Sequence, residues 1–156
     1  MQETSLDYVQ NRPRPGGAVE ALEGISRVLA EQVATPQLRS LMYLAGQSVA
    51  RSLPLNHCES LSELEEAVNR ILMNRDWGWL RIEDRADDVM FVHGCSPLRS
   101  WFGTRHLAWS GGLLEGLYAE WLHQLGADTQ LVLRQVGDAE GRDDILRFRF
   151  AHAHQF

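Results

Sequence analysis

At 156 residues the chain has room for one substantial hydrophobic core and not for two comfortable domains. Its formal charge of −6 comes from carboxylates spread along the sequence without any basic patch, which argues against a nucleic-acid or anionic-membrane partner. No apolar run approaches the roughly eighteen residues of a membrane span. Met1 to Asp7 has neither the basic nor the apolar region of a secretion signal, so a cytoplasmic location is expected. In a reducing compartment Cys58 and Cys95 are expected as free thiols.

Residues 1–17 read as an arm, because Asn11-Arg12-Pro13-Arg14-Pro15-Gly16-Gly17 favours an extended, uncommitted backbone. Residues 18–156 then form a single domain. Val19, Leu22, Ile25 (or Val28), Leu29 and Val33 recur at helical spacing, and Thr35-Pro36 opens a second helix, with Thr35 as cap and Leu38, Leu41, Met42, Ala45, Val49 and Leu53 along one stripe. Pro54 stops it. A third helix follows a capping box, either Ser60 with Glu63 or Ser62 with Glu65, and ends near Asn74.

The period changes at Asp76. Trp77, Trp79, Arg81 and Glu83 alternate with Leu80 and Ile82, as in a partly covered strand, and Val89 to His93 forms its hairpin partner. After the connection from Gly94 to Arg105, a long helix runs from Trp109 to Leu125. Thr129 to Val136 and Ile145 to Phe150 are two further strands about a turn from Gly137 to Asp144. This order predicts an α+β fold: N-terminal helices packed with a small four-stranded, mainly antiparallel sheet, and a long glycine-containing helix between its two hairpins.

The long helix is the most informative element. At about 100° per residue, Leu113, Leu114, Leu117, Tyr118 and Trp121 form its core-facing arc, while Gly112, Gly116 and Ala119 form a side-chain-poor stripe on another side. Glycine within a helix costs about 1 kcal/mol relative to alanine. Two glycines one turn apart therefore predict close approach of another backbone, within the fold or across a subunit boundary. Gly112, Glu115, Gly116, Ala119 and His123 are the assembly and interface candidates.

No catalytic constellation emerges. Glu115 and Glu120 diverge on the helix, and Glu115 reads as an interface ion-pair or cap partner. His57-Cys58 and His93-Gly94-Cys95 lack a usual zinc spacing, and His152 with His154 lies near the chain end. No metal and no cofactor are expected. Trp77, Trp79, Trp101, Phe102 and Trp109 have the flat faces on which sugars stack, but core packing is expected for most of them.

Leu113-Leu114-Glu115-Gly116-Leu117-Tyr118-Ala119-Glu120-Trp121, preceded by a tryptophan and followed by Gly126-Ala127, resembles the signature helix of the D-subunit family of bacterial cellulose synthase. The resemblance extends through Leu41 to Gly46, Leu61 to Leu72, Trp77-Gly78-Trp79, Leu131 to Val136 and Leu146 to Phe150. It implies a non-catalytic scaffold subunit that organises the synthases and the export and crystallisation of nascent glucan chains. It also implies an octamer assembled from dimers, contacts with other subunits of the complex including a proline-rich partner, and glucan chains as a further contact. The implied location is cytoplasmic near the inner membrane, with a periplasmic site as the alternative. The resemblance carries no glucan-contacting residue onto this chain. More broadly, the element order is similar to vesicle-tethering subunits and vinyl-reductase-type modules, which would imply a small-ligand-binding regulatory domain instead.

Overall fold

The computed structural model describes residues 16–137 and 145–156. Three helices come first: α1 (Gly16–Gln32), α2 (Thr35–Ser52) and α3 (Leu61–Met73). Strands β1 (Trp79–Asp84) and β2 (Val89–Gly94) follow. Two short helices, α4 (Leu98–Phe102) and α5 (Leu107–Ser110), flank a 3-10 turn at Thr104–His106 and lead into α6 (Gly112–Gln124). Strands β3 (Leu131–Val136) and β4 (Leu146–His152) complete the sheet. Its order is β1-β2-β4-β3, with every neighbouring pair antiparallel, so the α+β architecture expected from the sequence is the one observed.

Several boundaries move for local reasons. Gly16 and Gly17 belong to α1, not to the arm, and residues 1–15 lie outside the described residues. Thr35 is helical rather than capping; Ala34 holds the extended N-cap position, while Pro36 sits in the first turn as expected. At α3 the Ser60–Glu63 alternative prevails: Ser60 Oγ accepts from Glu63 N at 3.1 Å, and Glu63 reaches back to Glu59 N at 2.7 Å. Strand β1 starts two residues late because Gly78 has φ +90° and lies so close to Gly94 that a Cβ would meet its carbonyl oxygen. Trp109 sits on α5, not on α6. The connection from Gly94 to Arg105, expected as irregular, contains α4. The expected turn from Gly137 to Asp144 lies, beyond Gly137, outside the described residues.

Pairing register decides which sheet face is apolar. Leu80, Ile82, Phe91, His93, Leu146, Phe148, Leu133 and Gln135 share the face that α6 covers, where Tyr118 meets Phe91 and Phe148 edge-on at 5.5 and 5.6 Å between centroids. The opposite face places Met90 and Val92 between Arg81, Glu83, Arg147 and Arg149, whose aliphatic stems flank them. Both edge strands have backbone groups taken up by helix side chains. On β1, the Asn69 amide bonds both N–H and C=O of Leu80 at 2.8 and 2.7 Å, and Glu65 accepts from Ile82 N at 2.6 Å. On β3, Glu115 accepts from Gln135 N at 2.7 Å. These contacts withdraw edge donors from pairing with another chain.

Candidate functional site

The glycines of α6 face α2 of the same chain. A Cβ on Gly116 would lie 2.0 Å from the Tyr43 carbonyl oxygen, and one on Gly112 would lie 2.6 Å from that of Arg39. The relation is reciprocal, since a Cβ on Gly46 of α2 would lie 2.0 Å from the Leu113 carbonyl oxygen. Glycine knobs from both helices thus fit against opposing backbone, an approach that any larger residue prevents. Helix α6 is buried on two sides, by the sheet through Tyr118 and by α2 through the glycine seam. Of the predicted core arc, Leu114, Leu117, Tyr118 and Trp121 are buried and Leu113 is half-buried against the core.

Two polar clasps flank the seam. Arg39 donates to Glu115 Oε2 at 2.7 Å and to Gln135 Oε1 at 3.1 Å, so one carboxylate joins α2, α6 and β3. Arg51 holds Glu120 at 3.2 and 3.4 Å, and Gln124 adds a bond to the same carboxylate. The first clasp is largely withdrawn from solvent and the second has an exposed arginine. Glu115→Ala is therefore expected to cost about 2 kcal/mol, because it leaves the Gln135 N–H unpaired and Arg39 without its counter-charge. Arg51→Ala leaves the buried Glu120 carboxylate with the Gln124 amide, and water entering the space of the exposed arginine solvates it, so the expected cost is smaller, about 1 kcal/mol. Urea unfolding of the two variants checks this, and equal midpoints would contradict it.

The structure separates the five candidates. Gly112 and Gly116 lie within the seam, whereas Glu115, Ala119 and His123 line an open depression of about 450 Å³ between α2, α6 and β3, together with Tyr43, Gln47 and Asp128. His123 is exposed at its rim. Burial, followed by the nearby Glu115 and Glu120 carboxylates, raises the Tyr43 pKa and keeps its hydroxyl protonated.

The aromatics divide as well. Trp109 and Phe102 are core residues, Trp77 and Trp101 meet edge-on at 5.5 Å, and Trp79 is exposed with its ring laid over Gly94. Trp77, Trp79 and Trp101 line an open groove of about 940 Å³ with Ala18, Val19 and Pro97. His93 is fully buried: Nε2–H donates to the Trp77 carbonyl at 2.8 Å, which leaves Nδ1 to accept from the Tyr118 hydroxyl. Burial lowers its pKa to about 4, the Trp77 carbonyl opposing only in part. It is a structural pin between sheet and α6. His152 and His154 stack at 5.4 Å on the exposed chain end, and Cys58 and Cys95 are free thiols. Among the described residues no group of three or more His, Cys, Asp or Glu is placed to hold a metal ion, and no helix is long and apolar enough to cross a membrane.

Residue patterns alone did not assign Gly46, Arg39, Arg51 or Gln135. The usable signal was glycine within two apolar helices, Gly46 in one and Gly112 with Gly116 in the other, with an arginine seven residues before Gly46 and another five after it.

Comparison with known proteins gives the relatives of this arrangement. Cellulose synthase operon protein D of Komagataeibacter xylinus is 26% identical over 127 residues, covering 80% of this chain and 81% of that protein. The protein of the same name from Komagataeibacter sucrofermentans is 24% identical over 127 residues, with the same shares covered. Among solved structures, trafficking protein particle complex subunit 3 from Naegleria fowleri, crystallised covalently bound to palmitic acid, superposes with a TM-score of 0.58 at 10% identity, over 86% of this chain and 92% of that one. A vinyl-4-reductase family protein from Methanocaldococcus jannaschii superposes with a TM-score of 0.50 at 16% identity, over 90% and 82%. At such identities the two share a fold with this chain and no more. The profile of the cellulose synthase D-subunit family matches residues 14–149, and the chain belongs to that family.

Proposed function

We propose that this protein is a non-catalytic, oligomeric scaffold subunit of a bacterial cellulose synthase complex, organising synthases and the export and crystallisation of nascent glucan chains. The observation that carries the reading is the family match across residues 14–149. The geometry supports it: the carboxylates of the signature helix are tied into arginine clasps, and its histidine neighbour His93 has both ring nitrogens bonded within the core. Each of these groups is engaged in bonds that fasten one element of the fold to another, which supports a structural role for them. A small-ligand-binding regulatory domain would need an enclosed apolar cavity beside α6, and there α6 meets α2 backbone on one side and sheet rings on the other.

In this reading dimers assemble into an octamer that engages the other synthase subunits, including a proline-rich partner, at the inner membrane from the cytoplasmic side. Glu115, Ala119 and His123 border the depression available to such contacts, and Gly112 and Gly116 set the position of α6 beneath it. Light scattering of the purified chain at micromolar concentration is expected to give the mass of an octamer. A strict monomer there would refute the scaffold reading.

A further inference from the structure

Helix α2 has only two charged residues among its eighteen, Arg39 and Arg51, and both are bonded to carboxylates of α6. Arg51, in the last turn, is exposed; before that turn the solvent side of the helix carries no charged side chain. Gln37, Leu41, Leu44 and Ser48 are exposed and follow one another at intervals of four, three and four residues, the a/d spacing of a helix seam. Leu41 is 49% and Leu44 59% exposed. The preceding helix repeats the pattern: Ala21, Ile25, Val28 and Gln32 are exposed at the same intervals, with Ile25 at 56% and Val28 at 59%. An outward helix face in water ordinarily carries charge. Two consecutive helices here carry aliphatic side chains in the middle of their exposed seams.

We infer that the outer seam of α2, centred on Leu41 and Leu44, is the surface through which two copies of this chain associate, with Ile25 and Val28 of α1 extending the contact. The inference rests on the scaffold reading and names the surface that reading requires. Three arguments favour a second copy as the occupant. The four-three-four spacing is the same in both directions, so an antiparallel copy of α2 places Leu41 on the partner's Leu44 and Leu44 on the partner's Leu41, the self-complementarity of a two-fold contact. A chain of net charge −6 repels its own copies, and a face without charged side chains is where that repulsion is weakest. A stable dimer buries roughly 800 Å² on each partner with charge depleted from the centre, and the four half-exposed aliphatics supply on the order of half of that area.

Paired charge variants of the full chain test this without touching the core, because the altered side chains project into solvent. Leu41→Glu/Leu44→Glu and Leu41→Lys/Leu44→Lys, each checked for native circular dichroism and a cooperative melt, are compared with the unaltered chain by light scattering. Each variant alone is expected to lose about half or more of the assembly mass through like-charge repulsion across the two-fold axis. An equimolar mixture of the two is expected to regain it, which loss of folding would not permit. If the unaltered chain is oligomeric and both variants keep its mass, or if mixing restores nothing, this surface is refuted while the scaffold reading stands. If the unaltered chain is a monomer, both fall.

Discussion

Gly116→Ala is expected to destabilise the fold by about 3 kcal/mol, lowering the melting midpoint by roughly 10 °C, although alanine is the better helix former. On an isolated helix the substitution would gain about 1 kcal/mol. Here the added Cβ would lie 2.0 Å from the Tyr43 carbonyl oxygen and within 3.0 Å of the Tyr43 carbonyl carbon and Cα. These are backbone atoms, so no side-chain rotation relieves the overlap and α2 must move away from α6. That displacement also opens the clasps of Arg39 to Glu115 and Arg51 to Glu120, which bridge the same two helices. Gly116→Leu is worse again, and Gly46→Ala is expected to match Gly116→Ala because its Cβ would lie 2.0 Å from Leu113 O. The two alanines together should cost less than the sum, since one displacement accommodates both.

The internal control is Gly24→Ala on α1, where a Cβ would meet nothing nearer than the Arg27 guanidinium at 3.8 Å. That change is expected to stabilise by about 0.5 to 1 kcal/mol. Thermal melts of the three single variants decide the matter. A Gly116→Ala midpoint at or above that of the unaltered chain would remove the seam as the reason for glycine at this position.

The elements were legible because their signals are local. Leu64, Val68 and Leu72 face the core at helical spacing, and Leu146 and Phe148 are buried between exposed Arg147 and half-exposed Arg149, as period-two patterning requires. The requirement for close backbone approach at Gly112 and Gly116 was legible too, from the penalty that glycine incurs in a helix. What fills the seam was not. Gly46 lies 66 and 70 positions before them in sequence, and nothing local says which helix presents the complementary gap. Glu115 shows the same limit: its place on the helix border suggested an ion pair, but Arg39 and the Gln135 amide come from a helix and a strand on either side of it in the chain. Helix α4 was missed because five residues, Leu98–Phe102, are too few to show a period. The sequence around His93 says only that it lacks zinc spacing with Cys95; its two bonds are made to Trp77, which reaches it around Gly78 at the entrance to β1, and to Tyr118 of α6, and nothing adjacent in sequence names either partner.

His93 should also set the acid limit of the fold. Its folded pKa of about 4 lies below the ordinary value of 6.5 because burial penalises the imidazolium more than the Trp77 carbonyl favours it. Above pH 6.5 the ring is neutral in both folded and unfolded chains, and its stabilising contribution is fully present. Between 6.5 and 4 the unfolded chain binds a proton that the folded chain excludes, so stability falls as pH falls, by about 3 kcal/mol across the window. Carboxylates titrate in the lower part of that range, and His93→Phe separates their effect from that of the imidazole. The phenyl ring fills similar space but leaves the Tyr118 hydroxyl and the Trp77 carbonyl without their partner, a cost of about 1 to 3 kcal/mol at pH 7. It has no proton to gain, so the variant should lose less stability than the unaltered chain on acidification, and the gap between them should close toward about pH 4. Parallel denaturation series at pH 7, 6, 5 and 4 measure that gap. A gap that stays constant would mean that His93 takes up its proton equally in the folded and unfolded chains, and that burial between sheet and α6 does not hold it neutral.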